Sequence, residues 1–430
     1  MKHKVLMLGW EYPPAIAGGL GVASASLAEA LSSQVDLHVL TPAWDDLPKK
    51  QWLHGVEVES MDAPAYGLTP YPYQTDTEIY WPQPKSSVWQ VEPETIEEDT
   101  AELPIEPTVQ NAEPKTLNPQ PSPERSRRTE TPNALAEQAT AFAAAAVEEA
   151  ADQDFDIIHA HDWLTALPGM ALQEATGKPL ILHVHALEYD RSGPGARGWV
   201  YQLECEALER ADLIIPVSQY MAAVLIEHYG IAASKIEAIP HGAPDVEPYR
   251  LESTFGGPIV SFVGRLAAQK NPFQVLDLAE AVLAECEDAT FVIAGEGPER
   301  EALIHESIRR GLELQVLFTG FLGKEALHNL LAMSDMYFMP SWSEPFGLSA
   351  VEAAAFSVPC LLSDRCGAAE ILRSAWLVAP DNTAKQAELC LKLLNDDALR
   401  AHVGKQLQEE AIAFTWADAA GHIVEAYGRL

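Results

Sequence analysis

One pattern limits the possible folds of this 430-residue chain more than any other. Short apolar runs alternate with helix-forming stretches, and the pattern starts twice. In the first half, 5–8, 35–40, 156–161, 179–185, 212–217 and 235–239 read as strands, and 22–31 and 133–151 as helices. A Gly- and Pro-rich stretch at 242–257 follows. The alternation then resumes, with strands expected at 258–264, 289–295, 315–319, 336–340 and 358–362. Alternating strand and helix implies a parallel sheet covered on both faces. The expected fold class is therefore α/β, with two doubly wound Rossmann-like domains facing a central cleft, because such sheets bind ligands at the carboxyl ends of their strands.

The expected boundaries are 1–245 for the first domain and 256–415 for the second, with a C-terminal helix at 416–430 packing back on the first. The first domain is interrupted at 67–132. Ten prolines fall from Pro82 to Pro132 among Glu, Thr, Gln and Ser, leaving no room for a helix or a central strand. This insert reads as low-complexity and disordered. Its one basic cluster is Arg125, Arg127 and Arg128, on what reads as a solvated linker.

Charge removes several partners. With 63 acidic against 28 basic residues the formal net charge is −35, which argues against nucleic acid or an anionic membrane as the main partner. No apolar stretch reaches about 18 residues, the length of a spanning helix. The five cysteines have no C-x-x-C spacing, as expected for buried thiols in a reducing, cytoplasmic setting.

Three places concentrate chemistry. In Ser341-Trp-Ser-Glu-Pro-Phe-Gly-Leu-Ser-Ala-Val-Glu352 a strand, a tight turn and a helix start follow one another, with Glu344 and Glu352 bracketing the turn. That geometry aims backbone N–H groups at an anion; the plainer reading is a helix N-terminus with an acidic residue near its dipole. Arg265 and Lys270 follow the first strand of the second domain, where a cationic pair would stabilise a leaving phosphate. Gly18-Gly-Leu-Gly21 follows the first strand, in the arrangement of a phosphate cradle but without G-x-G-x-x-G spacing. His159 and His161 share a strand face, as do His183 and His185. No organised carboxylate set accompanies them, so one or two are expected to reach the cleft and the others to be core, with no metal site. Asp154 and Asp156 precede their strand and so fall at the wrong end of the sheet for a metal pair.

Together these motifs resemble the retaining glycosyltransferases of family 4 with the GT-B fold, and within them the glycogen and starch synthase-like branch. The resemblance covers nearly the whole chain outside the insert. Trp10-Glu-Tyr-Pro-Pro14 with Gly18-Gly-Leu20 resembles the N-terminal donor loop. His161-Asp-Trp163 resembles the H-D-W of glucan synthases, and the segment 183–189 their active-site histidine region, placing that role on His185. Arg265 and Lys270 match the phosphate-binding pair, and Glu344 through Glu352 the E-x7-E motif.

The resemblance implies a role for each residue. Glu344 would hold the donor sugar's hydroxyls and support charge at its anomeric carbon. His185 would contact the sugar near the reacting carbon. Gly18 and Gly19 would line the donor loop, and Phe346, Gly347 and Leu348 would offer backbone N–H groups. Glu352 would hold the ribose hydroxyls, Asp162 would orient donor or acceptor, and Gly320 and Phe321 would lie near the base. The implied partners are a nucleotide-sugar donor and a glucan or other carbohydrate acceptor, with no cofactor. Two departures stand out: Ser357 where the family usually has Gly, and Asn271 in place of a common Gly after Lys270.

Overall fold

The computed structural model describes residues 2–13, 19–43, 47–56, 132–244, 246–253 and 255–430. Gly18 and the Pro-rich stretch lie outside these residues, apart from Pro132, which opens a helix, Pro132–Ala150.

The first sheet contains β1 (Lys4–Leu8), β2 (Asp36–Pro42), β3 (Leu53–Val56), β4 (Ile157–His161), β5 (Leu180–Val184) and β6 (Leu213–Pro216), in the order β3-β2-β1-β4-β5-β6. The second contains β7 (Ile259–Val263), β8 (Thr290–Ala294), β9 (Val316–Gly320), β10 (Met336–Met339), β11 (Cys360–Ser363) and β12 (Trp376–Val378), in the order β12-β11-β10-β7-β8-β9. Every neighbouring pair runs parallel. Counted within each sheet, the two orders are the same doubly wound one. This is a two-domain Rossmann-like α/β fold.

The pleat explains why these runs are strands. In β1, Leu6 and Leu8 join one core and Val5 and Met7 the opposite one, so both faces are covered and no polar alternation remains. In the second sheet Val260 and Phe262 of β7 pack with Leu276 and Ala279 of the helix Phe273–Leu283. On the opposite face Tyr337, Met339, Cys360 and Leu362 meet Ala350, Val351 and Ala354 of the helix Leu348–Ala355.

The last helix, Trp416–Tyr427, lies on the first sheet's layer. Ala419, Ala420, Ile423 and Tyr427 share a core with Leu27, Ala28 and Leu31 of the helix Gly19–Ser32. Its N-terminus carries a capping box between Thr415 and Asp418.

Three segments differ from the sequence expectation. The stretch 235–239 is not a strand: it follows a 3-10 turn, Ala233–Lys235, and makes one bridge, Ile236 to Ile214. Its would-be neighbour β6 ends in Pro216, which has no N–H to extend a ladder. The edge strands β3 and β12 were not anticipated. β3 contains Gly55, and β12 is three residues long, too short to show a period.

Among the described residues, no helix is long and apolar enough to cross a membrane. Cys360, Cys366 and Cys390 are buried free thiols.

Candidate active site

In each sheet the order in which strands are added reverses between the first and fourth strands, β1 and β4 in one and β7 and β10 in the other. A crevice opens at the carboxyl ends of the strands on either side of such a switch point. The segments after these four strands carry the candidate residues.

After β10, Glu344 is buried and its backbone N–H donates to the Arg365 carbonyl at 3.0 Å. Its carboxylate takes an ion pair from Lys270 and a hydrogen bond from the Ser341 hydroxyl at 3.1 Å. Lys270 ends a 3-10 turn, Ala268–Lys270, after β7. Gln269 sews this turn to the β10 loop: its side-chain amide donates to the Ser343 carbonyl at 3.0 Å, and its own carbonyl accepts from Trp342 N–H at 2.8 Å. Arg265 leans on the Gln269 side chain at 3.5 Å. The cationic pair and Glu344 thus form one constellation.

Gly347 sits at φ 102° just before the helix Leu348–Ala355. A Cβ there would be strained and would crowd Cys366 Sγ and Glu344 Cγ, each at 3.2 Å, so glycine holds the Glu344 turn in shape. The same helix carries Glu352, whose carboxyl burial pushes up to about 7. At the carboxyl end of the edge strand β9, Gly320 adopts φ 72° and Phe321 is 70% exposed, an apolar ring offered to solvent two strands from the switch point. The glycine loop reaches the same place from the first sheet, since a Cβ on Gly19 would touch Leu348 at 3.7 Å.

After β4, Asp162 opens the helix Asp162–Thr176 at φ 55°. Its carboxylate accepts the backbone N–H of His185 at 2.6 Å and of Ala186 at 3.3 Å. Asp162 therefore holds the loop after β5 in place. Burial pushes its carboxyl up to about 7.

The four strand histidines do not divide into cleft and core. All are buried, and a fifth, His241, joins them. The Tyr427 hydroxyl meets His159 Nδ1 at 2.6 Å, and His159 Nε2 meets His183 Nδ1 at 3.2 Å. In a second chain His161 Nδ1 meets His185 Nε2 at 2.8 Å, and His185 Nδ1 meets His241 Nε2 at 3.0 Å. Both ring nitrogens of His185 are thus engaged by other imidazoles. Burial holds His159 and His241 down to about 3, and His161, His183 and His185 well below the usual range, so the cluster is neutral. His241 packs edge-on against Phe346 with ring centroids 4.9 Å apart, closing the space between the two sheets.

Sequence reasoning missed the residues that dock one half on the other. Ser343 donates to Asp190 at 2.5 Å and meets the Tyr220 hydroxyl at 2.8 Å. Ser218 donates to the Pro345 carbonyl at 2.6 Å. Glu370 accepts the backbone N–H groups of Gln219 and Tyr220, both at 2.9 Å, capping the helix Gln219–Tyr229 from the other domain. Behind Asp190, Arg191 bonds Glu188 at 2.9 Å and Glu204 at 2.6 Å, and Tyr229 donates to Glu204 at 2.7 Å. The Asp190-Arg191 dipeptide within 188–192 was the one available signal. Asp154 and Asp156 bond Lys4 at the opposite end of the sheet, away from the crevice.

Comparison with known proteins agrees with this fold. A family model described as glycosyl transferases group 1 matches residues 250–410, and one described as glycosyltransferase family 4 matches residues 106–245; together they span well over half of the chain. A glycogen synthase of Mycobacterium tuberculosis is 28% identical over 63% of this chain and 68% of its own length. Among solved structures, sucrose-phosphate synthase from Thermosynechococcus elongatus superposes with a TM-score of 0.73 at 19% identity, covering 100% of this chain and 99% of that one. Anabaena HepE in complex with UDP-glucose superposes with a TM-score of 0.67 at 17% identity, covering 99% and 100%. The chain belongs to the family-4-like glycosyltransferases of the GT-B fold.

Proposed function

We infer that this glycosyltransferase moves a hexose, glucose from ADP-glucose or UDP-glucose, to the non-reducing end of an α-glucan with retention of anomeric configuration. The observation that carries this reading is the Lys270–Glu344 ion pair beside Arg265 at the second switch point. A diphosphate arriving there draws the Lys270 ammonium off Glu344. Lys270 and Arg265 then face the charge that grows on the leaving phosphate as the bond to the anomeric carbon breaks, a contact stronger in the transition state than before it. The freed Glu344 carboxylate accepts from the sugar hydroxyls and supports the positive charge at the anomeric carbon. The acceptor hydroxyl attacks from the face the diphosphate leaves, and its proton passes to the departing phosphate oxygen. This chemistry asks for neither a catalytic metal nor a separate base.

Glu352 on the next helix suits the ribose hydroxyls, Phe321 suits the base, and the N–H groups of Phe346, Gly347 and Leu348 suit sugar or phosphate. Gly19 suits the donor from the side of the first sheet, the role the sequence also implies for Gly18. His185 lies behind the reacting carbon, positioned by Asp162, and must give up its bond to His241 to present a nitrogen to the sugar. The glycogen synthase relative supports the glucan acceptor, and the neighbour bound to UDP-glucose supports a nucleotide-sugar donor.

The test is nucleotide release from ADP-, UDP- and GDP-glucose, with and without glycogen, in the presence of a chelator. Release stimulated by glycogen and unaffected by the chelator is the expected result. Release stimulated only by another acceptor moves the enzyme to other glycoconjugates; no release with any donor removes the transferase reading.

A further inference from the structure

We propose that His183, His185 and His241 form a binding site for one divalent transition-metal ion of the borderline class, such as zinc(II). One nitrogen of each ring lies within 4.8 Å of those of the other two. The three side chains are 2%, 8% and 5% exposed. His183 Nε2 and His241 Nδ1 are buried and accept or donate no hydrogen bond. Leaving such a group unpaired costs about 1–3 kcal/mol, so His183 Nε2, whose lone pair an ion would take up, calls for an explanation.

The chemistry suits imidazole-seeking ions. Burial keeps all three rings neutral, the state in which imidazole offers a lone pair. His185 Nδ1 and His241 Nε2 are already 3.0 Å apart, with one proton between two nitrogens. Both become ligands if the His241 proton sits on Nδ1, which has no partner to lose, and the His185 proton sits on Nε2 facing His161. No net proton is released. Zinc–nitrogen bonds of about 2.0–2.1 Å in a tetrahedral site need ligand nitrogens about 3.4 Å apart, so the His185–His241 pair must widen slightly from 3.0 Å while His183, within 4.8 Å of both, closes in. His241 lies in a loop and can supply the widening. Its ring is tilted 45° from His183 and 33° from His185, so it faces them from a different direction, although His183 and His185 themselves stack within 15°. The inner group His159, His161 and His183 also brings three nitrogens within 4.8 Å. Its rings stack within 4° to 23° of parallel on two central strands, which leaves them little freedom to converge. Asp162, bonded to the His185 backbone, supplies a nearby buried carboxyl.

An ion here takes the His185 lone pair. If the proposed function is right, it inhibits transfer; binding itself does not depend on that reading. The test is titration of tag-free, chelator-stripped protein with cobalt(II), read by the visible d–d absorption of a four-coordinate ion and by bound metal per chain. One equivalent, displaced by zinc(II), is expected. His183→Gln and His241→Gln each weaken binding at least about 100-fold, more than the loss of an outer contact. His159→Gln, which removes only the outer bond to His183 Nδ1, weakens binding less, by about tenfold, and circular dichroism and melting confirm that each variant is folded. Absence of bound cobalt in the wild-type chain overturns the proposal without touching the transferase assay. Binding that survives His241→Gln but not His159→Gln overturns it as well, placing the ion in the inner group.

Discussion

Ser343 donates its hydroxyl to Asp190 at 2.5 Å, joining the loop after β10 to the short helix Glu188–Ser192 of the other domain. Asp190 is fully buried, and burial pushes its carboxyl up to about 6. Ser343→Ala removes one of its partners and leaves the Tyr220 hydroxyl without this bond. A loss of about 1–3 kcal/mol in unfolding free energy is expected from urea titration. Ser343→Thr, which keeps the hydroxyl, should recover part of it.

The Lys270–Glu344 pair separates catalysis from stability. Glu344→Gln and Arg265→Ala should each lower kcat by at least about 100-fold, the scale of one transition-state contact. Lys270→Ala strands a buried carboxylate and should cost about 3 kcal/mol of stability. Adding Glu344→Gln to Lys270→Ala should restore most of that stability and none of the activity. Activity surviving in either single active-site variant would place the reaction elsewhere.

If Glu352 holds the ribose hydroxyls as proposed, nucleotide binding depends on pH. Its carboxyl is raised to about 7, and only the ionised form accepts from two ribose hydroxyls. Affinity for nucleoside diphosphate should therefore rise with pH up to about 7 and level off above it, with up to about tenfold change per pH unit below. Glu352→Gln should bind more weakly at pH 8 and show a flatter profile in calorimetry.

His159 gives a stability test with a defined sign. Its folded pKa is depressed to about 3, so the unfolded chain binds its proton first as pH falls. That contribution is present above about pH 6.5 and is lost in acid, at up to about 1.4 kcal/mol per pH unit. His159→Gln should be less stable at pH 8, where the Tyr427 hydroxyl loses its ring partner. Its acid slope between about pH 6 and 4 should be shallower by about one proton.

Ser357 and Asn271 occupy positive φ, at 60° and 51°. Ser357→Gly should stabilise the fold by about 1 kcal/mol, the relief of a left-handed residue. Asn271→Gly should not, because the Asn271 amide donates to the carbonyls of Pro340 at 3.2 Å and Pro380 at 3.1 Å. Paired denaturation curves should shift in opposite directions.

Much of this was readable in the chain because parallel strands are apolar on both faces and end where polar residues begin. That rule puts Arg265, Lys270 and Glu344 after β7 and β10. The two departures from glycine, Ser357 and Asn271, were visible as substitutions, but their meaning needed the backbone angles. The role of Asp162 was hidden because its partners are N–H groups 23 and 24 residues away, which side-chain chemistry does not announce. His241 was missed because a lone histidine between Pro240 and Gly242 looks like any turn residue; only folding brings it to His185. Contacts such as Ser343 with Asp190 and Glu370 with Tyr220 join separate domains, and no local pattern in a sequence records them.

The chain crosses between the two sheets twice, once near residue 243 and once near residue 415. The crossings lie against each other: Ala243 N–H donates to the Phe414 carbonyl at 2.8 Å, and Ala243 bridges Thr415. A side chain at Gly242 would place its first carbon 2.1 Å from Trp416 N, so the contact is as close as backbones allow. Two tethers fused at one point act as a pivot. Any shift of one half against the other pivots there and must also break the Ser343–Asp190 and Ser218–Pro345 bonds that join them. The residues beside that pivot, Gly242 and Trp416 among them, are then the ones that move least.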